Sequence, residues 1–238
     1  MKSCRQMEVL RVYHSSLAER GEYVRREILY ASTIAIGLPI SRYFSEWPVN
    51  IWCIGLFIFL FVQAKRKERI EMVAVLAFAT PMELFFSEFW LIYEYQRDLM
   101  PLYVPVGHWF LFDLGRRIAN RLPESKKMAG WVLVPFVPLT IWMAFDGIDT
   151  SGLILLLLMF GFIRFGPAPM LYAVMAWLAL LMELWGTGLG TWTWASEVPW
   201  TPLTAWNPPL LCGAFYGLGD LLVNLSTERF DDTSEPLG

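Results

Sequence analysis

Two carboxylates sit inside apolar sequence in the same tripeptide, Met-Glu-Leu at 82–84 and at 182–184. A carboxyl group in a bilayer core costs a few kcal/mol or more, so Glu83 and Glu183 point to function by default. If both line one cavity, burial and mutual repulsion leave one of them a neutral acid able to donate a proton. His108, in Pro-Val-Gly-His-Trp, is the one histidine in the apolar part of the chain. An imidazole beside a carboxylate is a general base or a metal ligand. Glu83, Glu183 and His108 are therefore the candidate catalytic residues. In the quieter reading, each acid pins the loop above it through Ser87, Thr187 or a tryptophan indole. A single such histidine argues against bis-histidine haem and rules out a multi-histidine di-iron centre. A carboxylate-rich metal site from Glu83, His108, Asp113 and Glu183 is chemically open, but no metal is assigned and the cofactor is left unknown.

Each Glu is followed by an aromatic-x-aromatic step, Tyr93 and Tyr95 in the first case, Trp192 and Trp194 in the second. Prolines come next (Pro101 and Pro105; Pro202, Pro208 and Pro209), and then an aspartate, Asp113 or Asp220. Asp113 precedes Arg116 and Arg117 at helical spacing and should pair with them. Asp220 has no basic neighbour closer than Arg229, lies on the small-residue face of Gly213, Gly217 and Gly219, and needs a partner from elsewhere. Tyr93, Tyr95, Trp192, Trp194, Asn207 and Asp220 are the candidate ligand-binding residues. The tryptophans of the 186–207 stretch fit an aromatic belt at a membrane interface. The sharper alternative is an aromatic lid over a cavity, tolerated at membrane depth when buried in protein. Asn207, before Pro208-Pro209, is expected to cap the following helix.

The elements that must position these groups are hydrophobic helices. Of 238 residues, 56% are hydrophobic and 17% charged, against roughly 25% charged in soluble domains. The apolar blocks predict an all-α, polytopic transmembrane bundle of about eight spans. They are Glu27–Phe44, Pro48–Ala64, Ile70–Ile92, Pro101–Ile118, Met128–Phe145, Gly152–Phe165, Ala168–Trp185 and Pro208–Leu225. Of the 19 Lys and Arg residues, all but Arg42 and Arg97 fall on one side of this arrangement. The positive-inside rule then places both termini in the cytoplasm of a multi-pass plasma (inner) membrane protein. The chain divides into a basic, partly amphipathic arm (1–26), a first four-helix half (27–122), a polar linker (123–127), a second half (128–226) and an acidic tail (227–238). Phe59-Leu-Phe61-Val-Gln63, echoed by Phe160-Gly-Phe162-Ile-Arg164, extends the Met-Glu-Leu echo, so the halves read as tandem repeats in parallel orientation. Nothing in Met1–Arg26 reads as a cleaved signal. Scattered cysteines suggest neither a disulfide nor a zinc motif.

The order of Glu83, Tyr93 and Tyr95, then Trp192 and Trp194, then Asn207 resembles the membrane hydratases of carotenoid biosynthesis. Those carry a membrane Glu before a tyrosine turn and a tryptophan turn before a Pro-Asn step. The likeness covers about a fifth of the chain and departs at Glu88 and Phe89, where glycines would stand. It implies an apolar, isoprenoid-like ligand and transfers no catalytic assignment. Three function classes follow from the residues. The first is an intramembrane enzyme or binder for a lipid or isoprenoid, with lyase-, hydratase- or isomerase-like acid–base chemistry. The second is a non-catalytic subunit of a membrane complex, with a membrane-protein partner. The third is a small-solute transporter, disfavoured because no continuous charged path crosses the membrane. Membrane lipid is the expected surrounding partner, and nothing suggests nucleic acid.

Overall fold

The computed structural model describes residues 26–231, which are helical apart from two three-residue strands and the connecting segments. Most of the predicted arm and the end of the acidic tail lie outside the described residues. Helix α1 (residues 26–43) turns into α2 (Glu46–Gln63), whose first turn is capped by the Ser45 hydroxyl accepting from the Trp47 amide at 3.3 Å. Arg69 closes the other end of α2, donating to the carbonyls of Phe61 and Val62 at 2.9 and 2.7 Å. Helix α3 (Arg66–Leu84) follows and runs into a π-helical turn, Phe85–Phe89. After strand β1 (Tyr93–Tyr95) come α4 (Tyr103–Ala119), α5 (Lys126–Leu133), α6 (Phe136–Phe145), α7 (Ser151–Phe165) and α8 (Pro169–Leu189). Strand β2 (Trp192–Trp194) and α9 (Ala214–Asp231) complete the described chain.

Among the described residues, three helical stretches are long and apolar enough to cross a membrane: Glu46–Gln63, Arg66–Phe89 and Pro169–Leu189. The span expected over Met128–Phe145 is two helices bent by 44°. Pro135 stands at the break and Pro138 in the next turn; each lacks the amide a continuous helix would need there. The last helix starts at Ala214, not at Pro208, because 208–213 runs as turns. Asn207 therefore caps no helix; its side-chain oxygen accepts from the Trp194 amide at 3.0 Å. The strands, too, were not expected from the sequence.

Helix α3 packs against α4 and α9, and α4 packs against α8, so these four helices form the centre. Trp109, Phe110, Tyr172 and Met175 are fully buried among them. The expected small-residue face packs tightly at two of its three glycines: a Cβ on Gly213, just before α9, would meet the backbone of Met175 and Ala176, and one on Gly217 the Phe162 ring, whereas Gly219 faces open space. Away from the strands, the helix ends are joined by ions. Asp113 accepts from Arg116 at 3.0 Å and from Arg117 at 2.7 Å, as its spacing predicts. Arg116 also reaches Glu71 at 2.7 Å, Arg26 pairs with Glu68 at 2.8 Å, and Arg121 pairs with Glu27.

At the strand-bearing end, Asp149 is completely buried and ties two segments together. Its carboxylate accepts from the Ser151 hydroxyl and the Gly152 amide at the start of α7, at 2.8 and 2.9 Å, and from the Leu210 amide at 3.3 Å. An unsatisfied buried donor costs about 1–3 kcal/mol. Asp149→Ala should therefore lower the thermal unfolding midpoint in detergent clearly, and Asp149→Asn by less. Equal midpoints for wild type and Asp149→Ala would contradict this anchoring role.

Candidate functional site

Glu83 lies in the last turn of α3, two residues after Pro81. The π turn that follows uses wide hydrogen bonds, Trp90 amide to Phe85 carbonyl at 2.7 Å and Ile92 amide to Phe86 carbonyl at 3.0 Å. This folds the chain back so that β1 lies over the end of its own helix. Alternate residues of a strand face the same side, so the Tyr-x-Tyr step delivers two phenols to one place. Tyr93 and Tyr95 both donate to the same Glu83 oxygen, Oε2, each at 2.6 Å. Glu94 between them points away and is exposed.

Glu183 on α8 is held in the same way by the other strand. The indoles of Trp192 and Trp194 both donate to Glu183 Oε2, at 2.7 and 2.8 Å. Gly186, one turn beyond Glu183, makes this possible: a Cβ there would run into the Trp192 ring. Strands β1 and β2 pair antiparallel, with Tyr93 opposite Trp194, Glu94 opposite Thr193 and Tyr95 opposite Trp192. The four aromatic donors thus form one roof above the two acids. Tyr93, Tyr95 and Trp192 are buried, whereas Trp200, elsewhere in the loops, is 72% exposed. The belt reading fits Trp200 and fails for Trp192. Ser87 and Thr187 bond the backbone carbonyls of Glu83 and Glu183, at 2.9 and 2.7 Å, rather than their carboxyls.

His108 joins the first acid. Its Nδ1 is 2.9 Å from the Val104 carbonyl, which can only accept, so Nδ1 carries a hydrogen. Its Nε2 lies 3.0 Å from Glu83 Oε1, and the two share one proton. The Tyr216 ring stacks on the imidazole at 5.8 Å. Burial first, and the Glu83 carboxylate next, hold the Tyr93 and Tyr95 phenols well above their ordinary range, so both stay protonated donors.

Glu83, His108 and Glu183 all line one cavity of about 190 Å³, roofed by Tyr93, Tyr95, Trp192 and Trp194. The Glu83 and His108 side chains retain 13% and 23% exposure; with the strands above them, that exposure opens onto the cavity. Away from the acids the walls become apolar, with Val75, Phe78, Leu111 and Val223 among them. Two proposed ligand-binding residues lie elsewhere. Asn207 positions β2 through the Trp194 amide and does not line the cavity. Asp220 is outside it as well, and its missing partner is Tyr172, whose hydroxyl donates at 2.9 Å, with Asn224 at 3.1 Å. Sequence reasoning missed Tyr216 and Cys212, whereas the glycines of the 186–190 stretch already pointed to a close approach, which Gly186 makes with the Trp192 ring.

The arrangement sets Glu183, whose Oε1 has no hydrogen-bond partner among the described residues, on the same cavity as an imidazole–carboxyl pair. Such a site can deliver a proton at one point and collect one at another. Compared with known protein families, characterised proteins and solved structures, the chain finds no match in any of the three.

Two substitutions test this construction. Gly186→Leu should displace the Trp192 ring, red-shift tryptophan emission and lower the unfolding midpoint; an unchanged spectrum and midpoint would refute the packing argument. Tyr95→Phe removes one hydrogen bond to a charged group, worth about 1.5–3 kcal/mol. It should lower the midpoint while leaving the spectrum near that of wild type.

Proposed function

We propose that this protein is a multi-pass membrane protein whose cavity binds and transforms an apolar, isoprenoid-like ligand by acid–base chemistry. The observation that carries the reading is the convergence of Glu83, His108 and Glu183 on one cavity whose remaining walls are apolar. Charged groups of this kind are costly to hold in such surroundings, and their retention there favours a functional role. In the chemistry we favour, Glu183 protonates one carbon of a carbon–carbon double bond. The π faces of the roof stabilise the resulting cation. Loss of a proton from the adjacent carbon to the His108–Glu83 pair then moves the double bond. Attack on the cation by water, whose proton goes to the same pair, hydrates it instead. Isomerase-like and hydratase-like outcomes therefore share the same residues.

In this reading the protein crosses the membrane eight times, with α5 and α6 as one broken span and both termini in the cytoplasm. Two tandem four-helix halves fit the pairing of Glu83 and its tyrosines with Glu183 and its tryptophans. The packing of α3 on α9, answered by that of α4 on α8, supports the same duplication.

Mass spectrometry of the organic extract of protein purified in mild detergent should reveal an enriched apolar molecule. Glu183→Gln and Glu83→Gln, if folded, should retain that molecule and lose its conversion in a complementation assay. Protein that carries no enriched apolar molecule but holds a stoichiometric membrane partner would instead favour a structural subunit.

A further inference from the structure

Resting on that reading, we propose that the ligand reaches the cavity sideways, from the lipid, through the gap between α1 and α2. Gly37 sets the aperture, and a ligand longer than the cavity leaves its trailing hydrocarbon chain in the groove outside.

Both ends of the cavity are closed. The strand pair covers the acids, and its surroundings are pinned to α1: Arg42 donates to the Leu189 carbonyl at 2.8 Å and Arg97 to the Ser41 carbonyl at 3.3 Å. At the far end, the Glu71–Arg116–Asp113–Arg117 ion cluster closes the bundle beneath buried Phe112 and Val223. The side wall differs. Thr33, Gly37 and Val49 line both the cavity and a second space of about 250 Å³ on the outside of α1 and α2. Ile36 and Trp52, also in that groove, are 59% and 54% exposed.

The chemistry of the groove selects its occupant. It contains no charged side chain. Its two hydroxyls each have a partner within the protein: Ser32 donates to the Leu29 carbonyl at 3.1 Å, and Thr33 accepts from the Trp52 indole at 3.0 Å. A charged headgroup would find no counter-charge there, whereas a hydrocarbon chain loses nothing by lying in it. Thr33, Gly37 and Val49 are the shared wall between the groove and the cavity that holds the acids, so parting α1 from α2 there would let one linear molecule place its reacting end inside and its tail outside. Gly37 marks the narrowest point, where an added Cβ would already lie 3.3 Å from Val49 Cγ1. A larger residue there fills the gap. The Thr33–Trp52 bond, one helical turn along α1, is the latch that gives way as a chain passes.

The test uses full-length protein in phosphatidylcholine nanodiscs and, as probe, a linear C18 alcohol carrying a mid-chain diazirine. Photo-adducts are mapped by peptide mass spectrometry. In wild type, adducts should appear both in the groove, at Ile36 and Trp52, and in the cavity, at Met82, Phe86 and Val223. Gly37→Trp should keep the groove adducts and lose those in the cavity. A second variant closes the gap reversibly. Gly37→Cys with Val49→Cys, in a Cys53→Ala background, places the two Cβ atoms near the roughly 3.5–4.5 Å separation of a disulfide. Cavity labelling should vanish on oxidation and return on reduction. Cavity labelling at the wild-type level with the cross-link closed would overturn the lateral route while leaving the cavity's function intact. Wild-type protein labelled only in the groove would instead overturn the reading of the cavity as an apolar-ligand site.

Discussion

A carboxyl group enclosed among apolar helices must be given hydrogen-bond donors, and the chain next to Glu83 and Glu183 is shaped by that demand. An unpartnered buried charge costs more than most single interactions return. The protein supplies two donors to each acid by ending a long helix and returning a three-residue strand over it. The π turn after Glu83 and the glycine after Glu183 are two solutions to the same problem of bringing a ring back within 3 Å of its own helix. Pairing of the strands follows, because the two returning segments meet above the same cavity and satisfy each other's backbone groups.

This roof also explains how the polar end of the cavity is enclosed. Four aromatic rings offer their hydrogens to the acids and pack against one another, Tyr93 on Trp194 and Tyr95 on Trp192. They cover the acids from above, while Glu83, His108 and Glu183 still face the cavity. The helices beneath are held apart at that end by the strands and drawn together at the other by ions around Asp113. A space remains between the two closures, and it is there that His108 stands beside Glu83.

Much of this was legible in the sequence. Acids within apolar runs, a lone histidine at similar depth and the arginines after Asp113 are each signals whose cost or spacing forces a partner. Aromatic residues two apart were noticed, but not why: only an extended segment points both rings one way, and six strand residues are too few to disturb a helical pattern. The break at Pro135 was missed because apolar content stays high across it, and hydropathy does not register a lost amide. Asn207 was misread for a related reason. A side chain before two prolines looks like a helix cap, but the chain needs six more residues to reach α9, and the amide that Asn207 meets belongs to β2. The hydrogen on His108 Nδ1 depends on a carbonyl four residues back, which no side-chain pattern reveals.

The two acids are held with matching geometry by chemically unequal groups. An indole N–H can only give a hydrogen bond, and it neither accepts one nor passes a proton on. A phenol hydroxyl does both, because its oxygen keeps lone pairs while its hydrogen is engaged. Tyr93 and Tyr95, with His108 on the same carboxylate, give the Glu83 side groups that both donate and accept. The Trp192–Trp194 side is an insulator. In the acid–base chemistry proposed above, a proton that leaves Glu183 would be replaced from within the cavity, and the choice of aromatic residue would set the direction of proton traffic.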